Sequence, residues 1–343
     1  MTPSRARIQV LLTVSIGLMA VSPSVAVQAL AGGLGCAGEI VKIGGLFGSK
    51  SVTADELAAE ITSAGWAVFG ERHGVKEHPA AVACVMRALT GPPGDAGAPS
   101  RPAPVLVLEM VAADQQSTID DYRRRHPEIA DGIGTALKWW ESGWPAWSTY
   151  LPLFETAWLL RAPVIAGDIA RKSKGSEKSR IEAVLGERTP GVLRSWSAAM
   201  SAAHCDQIDA GRADELALRQ ASRDIAMATA AAHEPDHSAG VRIVYAGRAH
   251  ATRERAIPLV LAMMQSTRGV AVGLQETSSG GTAVDRVAAI TAAKGRYDYL
   301  WLTGVSEQGD PCDALRAKGL VAARAGSASP TRAGSASPTR EQP

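Results

Sequence analysis

The stretch Val68-Phe69-Gly70-Glu71-Arg72-His73 decides the fold of this 343-residue chain. Its apolar part begins at Trp66, has the length of a strand, and is followed directly by a carboxylate and an imidazole. A second imidazole, His78, follows five positions after the first. In an open α/β sheet, ligands bind at the C-terminal ends of the parallel strands. The stretch therefore predicts a buried strand that delivers polar groups to a binding site.

Three further apolar runs also lead into polar residues. Each run is predicted to be a strand, and the polar residues are Glu109 after 105–108, Asp168 after 163–167, and His250 after 241–246 and a Gly-Arg-Ala link. Additional strands are predicted over 269–274 and 297–303, with helices between the strands. Such alternation predicts an α/β fold in which a mostly parallel central sheet is flanked by helices. The polar groups should then gather along one edge of the sheet.

The helices and segment boundaries follow from caps and composition. Thr53 and Glu56 form the pattern of a capping box, so a helix is predicted to start there. The long Ala-rich region 180–232 is predicted to be helical, with breaks around Thr189-Pro190-Gly191 and near Gly211. We expect four segments, which are a signal peptide over 1–29, an irregular N-terminal segment over 30–52, an α/β domain over 53–320, and a disordered repeat tail over 321–343.

The N-terminus has the pattern of a secretory signal. Arg5 and Arg7 precede an apolar run over 8–21, and small residues follow with cleavage expected near Ala26 or Ala29. Export to the periplasm or cell envelope is therefore expected. Cys36 could carry a lipid and anchor the chain to a membrane, although the residues before it fit a lipidation signal poorly.

Charge and cysteine usage exclude some classes of protein. The chain has 36 basic and 34 acidic side chains, so no basic surplus exists to neutralise phosphates, and nucleic-acid binding is not expected. Four cysteines allow three pairings, among which the sequence does not choose. The sequence has no Gly-x-Ser-x-Gly elbow, Gly-x-Gly-x-x-Gly turn or Walker loop, which disfavours an α/β-hydrolase and a nucleotide-binding protein.

The polar edge permits two kinds of chemistry. Carboxylates with imidazoles bind divalent metal ions or form general acid/base pairs around an activated water. The candidate catalytic and metal-binding residues are Glu71, His73, Glu109 and His250. Each of these residues has an alternative interpretation without a functional role. A carboxylate at the end of a strand, for example, can be a solvated charge in a loop. Asp168 could equally be a turn residue.

A second set of candidates could bind a cofactor. The segment 139–150 is rich in aromatic residues, and Trp144 could form the apolar wall of a pocket for a flat ligand. The alternative is a small hydrophobic cluster. Tyr150 could supply a phenolate to ferric haem iron. His78 could join the site or simply open the helix before Pro79.

The residues quoted above resemble the ChaN haem-binding domain of the Tiki/erythromycin-esterase superfamily. The resemblance spans about residues 60–305, in order, and its carriers are Gly70-Glu71-Arg72-His73, Glu109-Met110, Trp144, Tyr150-Leu151-Pro152-Leu153, Arg223-Asp224-Ile225-Ala226 and Tyr245-Ala246-Gly247-Arg248-Ala249-His250. It implies an exported, often membrane-anchored protein of iron or haem uptake. It also implies relatives that use the Glu/His cluster for hydrolysis.

From the resemblance, the first functional hypothesis is a cell-envelope protein that binds haem. The alternative is a hydrolase that activates water, with or without a divalent metal ion, by Glu71, His73, Glu109 and His250. Arg248 stands where the family tends to have a small polar residue, and it could clamp an anion such as a haem propionate. The expected partner is therefore haem or another anionic small molecule, and a homodimer with a shared site stays open.

Overall fold

The computed structural model describes residues 36–44, 48–91, 100–170, 178–232, 240–277, 282–305, 312, 313 and 317. Within these residues the elements follow in the order β1 (Glu39–Lys42), β2 (Lys50–Val52), α1 (Ala54–Ala64), β3 (Trp66–Glu71), α2 (Glu77–Thr90), β4 (Val105–Ala112), α3 (Gln116–Arg125), α4 (Ile133–Ala136), α5 (Trp147–Leu159), β5 (Val164–Asp168), α6 (Lys178–Leu185), α7 (Thr189–Ala203), α8 (Ala210–Ala232), β6 (Arg242–Gly247), α9 (Ile257–Gln265), β7 (Val270–Thr277), α10 (Ala283–Ala293) and β8 (Tyr299–Val305). A 3-10 turn, Arg248–Ala251, follows β6. The predicted signal peptide and the predicted repeat tail lie outside the described residues.

The described strands form one eight-stranded sheet in the order β2-β1-β8-β7-β3-β6-β4-β5. Every pairing from β8 to β5 is parallel, whereas β1 pairs antiparallel with β2 and β8. The prediction of a mostly parallel sheet flanked by helices is therefore confirmed. Strand β3 lies between β7 and β6, so the stretch that begins at Trp66 occupies the centre of the sheet.

The central strands are buried over their whole length. Every residue of β3 and β4 is buried, as expected for parallel strands covered on both faces. Val68, Val107 and Val244 pack with Trp196 of α7 and Ile225 of α8 in one hydrophobic core. This burial fixes the register of the strands, because a shift of one residue would turn every apolar side chain to the opposite face.

Two features differ from the sequence-based expectations. Residues 30–52, predicted to be irregular, contain β1 and β2. Their apolar pattern is very short, because only Ile40 and Val41 of β1 are buried and β2 has three residues. Glu109 does not follow its strand but lies inside β4, which continues to Ala112. The strand was predicted to end before Glu109 because this residue is charged. The next residues, Met110 and Val111, are again apolar and buried, so the strand continues past it.

Two disulfides close the fold. Cys36 is bonded to Cys84, and Cys205 is bonded to Cys312, so all four cysteines of the chain are paired. The sulfur of Cys36 is therefore not available to carry a lipid, which corrects the expectation of an anchor at this residue. In the part of the chain that the structure describes, no helix combines the length and the apolar character needed to cross a membrane.

Candidate functional site

The site lies where β3 and β6 end side by side. Glu71, the last residue of β3, is in register with Gly247, the last residue of β6. A Cβ on Gly70 would lie 2.6 Å from Cβ of Ala251 and 2.8 Å from Cα of Arg248. Gly70 therefore allows the turn after β6 to fold closely over the end of β3, which brings the polar residues of both segments together.

Glu71 is a buried carboxylate held by three donors. Its Oε1 accepts a hydrogen bond from the Tyr150 hydroxyl at 2.9 Å and lies 2.7 Å from Nδ1 of His73, while Oε2 accepts from the Tyr245 hydroxyl. Burial raises the pKa of Glu71 above its usual range, although the hydrogen bonds from His73 and the two tyrosines oppose this effect. The carboxylate is thus a fixed anchor for His73.

His73 is the most accessible of the polar residues at this edge. Its side chain is 38% exposed, and its ring packs edge-on against Trp144 with the centroids 4.9 Å apart. Burial lowers its pKa, but the hydrogen bond with Glu71 and the charges of Glu109 and Glu71 outweigh burial, so the pKa is raised above 6.5. A Cβ on Gly247 would lie 3.0 Å from Cε1 and Nε2 of His73. The imidazole therefore has a carboxylate at Nδ1 and a glycine beside Nε2.

Glu109 is the second buried carboxylate. Its Oε1 lies 2.6 Å from the Arg223 guanidinium and 3.4 Å from Nε2 of His250, and its Oε2 accepts from the Gly247 amide at 2.5 Å. Burial alone would raise the pKa of Glu109, but the charges of His250, Arg223 and His73 lower it to about 2. Glu109 is therefore ionised. Its two oxygens connect the Gly247 amide and His250 to the Arg223 guanidinium.

His250 is oriented by a residue that the sequence did not single out as functional. Its Nδ1 lies 2.7 Å from Oδ1 of Asp224, whose Oδ2 accepts from the Trp196 indole at 2.9 Å. Burial raises the pKa of Asp224, against the opposing charge of His250. Both site histidines thus have a buried carboxylate at Nδ1, an arrangement that fixes the tautomer and the ring orientation.

Arg223 links Asp168, at the end of β5, to Glu109 in β4. Its Nε and Nη2 bind the two oxygens of Asp168 at 2.8 and 2.9 Å, and Nη2 also reaches Glu109. Asp224 could have been found in the sequence as a polar residue within the apolar stripe of α8, with Arg223 next to it in the sequence. That stripe contains Ala217, Ala221 and Ala228 at helical spacing, and Asp224 occupies a position within it.

His78 and Arg248 occupy different environments. His78 is fully buried, and its Nδ1 accepts from the Arg72 amide at 3.0 Å. Burial, followed by the charge of Arg248, lowers the pKa of His78 to about 3. His78 is thus a neutral residue of the interior. Arg248 binds Gln275 but remains 32% exposed, so it stays within reach of an anion.

The prediction that Tyr150 offers a phenolate to iron does not agree with the structure. Tyr150 is 1% exposed and its hydroxyl is bonded to Glu71. Burial and the charge of Glu71 raise its pKa far above the usual value for a phenol. Its aromatic neighbours, Trp139 and Tyr245, place it in a hydrophobic cluster under the site. Trp144, in contrast, reaches the surface.

A cleft of about 440 Å³ opens beside the His73–Trp144 pair. Its wall includes Trp144, Met110, Arg219 and Arg223. Arg219 is exposed and adds a second cation to the guanidinium that holds Glu109. The cleft therefore combines an aromatic wall with positive charge, next to the one partly exposed histidine of the edge.

The four predicted metal ligands come together, but they do not form a metal centre. Among the described residues there is no group of three or more His, Cys, Asp and Glu side chains placed to hold a metal ion. Both oxygens of Glu71 and both of Glu109 already accept bonds from protein donors. The Arg223 cation at Glu109 further opposes a divalent ion at the centre of the cluster.

Comparisons with known proteins identify a family and a solved structure of similar fold. The family model described as haem-binding uptake, Tiki superfamily, ChaN matches residues 57–261. A solved structure of cofacial haem binding to ChaN of Campylobacter jejuni aligns with a TM-score of 0.55 and 17% identity, covering 77% of this chain and 96% of that chain. The type III effector HopBA1 aligns with a TM-score of 0.38 and 12% identity over 74% of this chain and 94% of that chain. No curated protein sequence matches.

Proposed function

The chain belongs to the ChaN family of haem-binding uptake proteins in the Tiki superfamily, and on this premise we propose that it binds haem in the cleft beside His73 and Trp144. Haem has a flat apolar macrocycle, two anionic propionates and an iron that accepts an axial ligand. The observation that carries the proposal is the contact of His73 with Trp144, whose ring lines a cleft that also contains two arginines.

Each part of the cleft fits one part of the ligand. The Trp144 ring offers an apolar contact to a macrocycle. Arg219 and Arg223 supply positive charge for propionates, and an arginine can bind a carboxylate through two parallel hydrogen bonds. Since Arg223 is already paired with Asp168 and Glu109, Arg219 is the cation more available to a ligand.

Haemin titration of the purified mature chain tests this function. We expect the Soret absorbance of haemin to change as protein is added, with saturation at micromolar protein. Trp144→Ala should weaken binding about tenfold, since it removes a wall of the cleft. Trp140→Ala is the matched control, because Trp140 is 68% exposed and does not line the cleft. An unaltered haemin spectrum with the wild-type chain would contradict the proposal.

We also propose that the protein acts outside the cytoplasm, in the periplasm or cell envelope, in iron or haem uptake. The signal-like N-terminus supports export, and two disulfides suit an oxidising compartment. Cell fractionation followed by N-terminal sequencing checks this proposal. A chain found in the cytoplasm with its first 29 residues retained would contradict it.

The oligomeric state of the haem-bound chain is part of the same proposal. Haem binds cofacially to the Campylobacter jejuni protein. We propose that this chain forms a homodimer when it binds haem. Light scattering with and without haemin should show a doubling of the mass on binding. A mass that stays monomeric at saturation would exclude the homodimer without affecting haem binding itself.

Hydrolysis by an activated water is the second candidate, and one observation favours it. Both His73 and His250 carry a buried carboxylate at Nδ1, which is how a histidine base is oriented for proton transfer. Release of p-nitrophenol from p-nitrophenyl acetate would reveal such activity. Activity that depends on this edge should be lost in both His73→Ala and His250→Ala. Equal activity in the two variants and the wild type would exclude this function for the site.

A further inference from the structure

A groove of about 510 Å³ lies between α2 and α5. It shares no lining residue with the cleft that contains Trp144. Its apolar part is formed by Ala80 and Ala83 of α2 and by Pro152 and Trp158 of α5. Because alanine and proline side chains are small, they leave open the space between the two helices. This surface is called the α2–α5 groove below.

Two large apolar side chains at the α2–α5 groove are exposed to solvent. Leu159, the last residue of α5, is 74% exposed, and Ile129, in the loop after α3, is 57% exposed. Among the described residues six large apolar side chains are exposed, and two of the six line this one groove. Exposed apolar side chains that are gathered in a groove and surrounded by polar residues are typical of a surface that binds another protein.

The rim of the α2–α5 groove is acidic. The three exposed carboxylates that line it belong to Glu128, Asp131 and Glu155. Arg87 is the basic residue of the lining, and its guanidinium already donates a hydrogen bond to the Thr156 hydroxyl at 2.7 Å. Glu128 lies 3.4 Å from Arg161, but their side chains are 73% and 82% exposed, and surface pairs of this kind contribute little. The rim therefore favours a partner that carries basic residues.

The walls of the α2–α5 groove are fixed by the fold. Cys84, in the middle of α2, is bonded to Cys36. The Trp158 indole donates to the His126 carbonyl at 2.9 Å, and the Arg123 guanidinium lies 4.0 Å from the centroid of the Trp158 ring. A groove that is already formed does not have to be ordered when a partner binds, which lowers the entropic cost of binding.

We propose that the α2–α5 groove binds an amphipathic α-helix of a partner protein, with aliphatic side chains in the groove and lysine or arginine residues along the acidic rim. Six of the lining residues recur at helical spacing along α2 and α5, and they are Ala80, Ala83, Arg87, Pro152, Glu155 and Leu159. The groove thus follows each helix for about two turns, or roughly 10 Å. A helix bound in such a groove contacts it through residues at positions i, i+3 or i+4, and i+7.

The test measures binding of a fluorescein-labelled helical peptide to the full mature chain by fluorescence anisotropy. The peptide is about four turns long, or about 14 residues, with leucine on one face and lysine on the other. We expect saturable binding at micromolar protein. Leu159→Asp should weaken it at least tenfold, because the substitution places a charge in the apolar part of the groove. Val284→Asp is the matched control, since Val284 is 75% exposed and does not line this groove.

A charge-reversal variant tests the chemistry of the partner. Glu155→Lys should weaken binding of the leucine–lysine peptide, and a peptide with glutamate in place of lysine should bind this variant more tightly than it binds the wild type. The affinity of the wild type for the leucine–lysine peptide should fall as salt is added, because the rim carboxylates are exposed. A peptide affinity that Glu155→Lys leaves unchanged would overturn the assignment of a basic partner.

Three further outcomes would overturn the inference. They are the absence of peptide binding by the wild-type chain at low salt, equal affinity of Leu159→Asp and Val284→Asp, and occupation of the groove by a second copy of this chain. Light scattering of the peptide-free chain would reveal the last as a doubled mass that is lost in Leu159→Asp. Haemin titration is independent of all three outcomes, because the groove shares no lining residue with the proposed haem cleft.

Discussion

Nδ1 of His250 lies 2.7 Å from Oδ1 of Asp224, so a helix supplies the carboxylate that orients a histidine placed by a strand. The same carboxylate accepts a hydrogen bond from Trp196 of a neighbouring helix. The edge of the sheet and the helices that cover it are therefore joined through one buried acid. Because Asp224 is 1% exposed, the loss of its partners cannot be offset by water.

Asp224→Asn should destabilise the protein. The amide cannot accept from His250 and Trp196 as well as the carboxylate does, and each buried donor left unsatisfied costs about 1–3 kcal/mol. The free energy of unfolding measured in urea should fall by about that amount. Asp214→Asn is the matched control on the same helix, because Asp214 is exposed and its replacement should change the free energy by less than about 0.5 kcal/mol. Equal effects of the two substitutions would refute the structural role of Asp224.

The fold and half of the site could be predicted from local sequence patterns. Apolar runs that lead into polar residues predicted Glu71, His73 and His250 as site residues. The reason is that a parallel sheet gathers its C-terminal strand ends at one edge. The capping box of Thr53 and Glu56 is also confirmed, with both of its hydrogen bonds formed. These features depend on residues a few positions apart, which a sequence displays directly.

The other half of the site depends on contacts between residues distant in the chain. The hydrogen bond from Tyr245 to Glu71 spans 174 positions, and the contact between His250 and Asp224 links a strand end to a helix interior. An aromatic residue such as Tyr150 has the same sequence signature whether it faces a ligand or a buried acid. Only the structure shows that the Tyr150 hydroxyl, on α5, is bonded to Glu71 at the end of β3.

Gly247→Ala should weaken haem binding without unfolding the protein. The backbone at Gly247 has a φ of −57°, which any residue can adopt, so the requirement for glycine is one of space. The added Cβ would lie 3.0 Å from the His73 ring and 3.4 Å from Oε2 of Glu109. Displacement of the imidazole should lower haemin affinity at least tenfold in a Soret titration.

Gly191→Ala provides the contrast for that experiment. A Cβ on Gly191 would meet no atom within 4 Å, and the residue lies in α7. Alanine is favoured over glycine in a helix by roughly 0.5–1 kcal/mol, so this variant should be slightly more stable and should bind haemin as the wild type does. Haemin affinity that is unchanged in Gly247→Ala would show that His73 has room to accommodate the extra atom.

The disulfides should contribute strongly to stability. Replacing Cys36 and Cys84 together by serine removes a cross-link between residues 48 positions apart, and such a loss typically costs about 2–4 kcal/mol. The Cys205–Cys312 link closes a separation of 107 residues, so its removal should cost somewhat more. Urea unfolding of the two double variants measures both effects. Peptide mapping without reductant should recover Cys36 linked to Cys84, and recovery of a lipid-modified Cys36 would contradict this pairing.

Glu109 should make stability fall at acid pH. Its pKa in the folded chain is about 2, below the value of 4.5 for an exposed glutamate, so ionised Glu109 stabilises the fold at pH values above about 4.5. That contribution, of the order of 3 kcal/mol, is lost as the pH falls from about 4.5 through 2. Glu109→Gln lacks the charge at every pH and leaves Arg223 without this partner, so it should be less stable than the wild type at pH 6.5.

Urea unfolding between pH 6.5 and 3 should show that the difference in stability between wild type and Glu109→Gln shrinks toward acid pH. Glu155→Gln, in an exposed position on α5, serves as the control and should follow the wild-type curve. A difference between wild type and Glu109→Gln that stays constant across this range would show that the charge of Glu109 does not stabilise the fold.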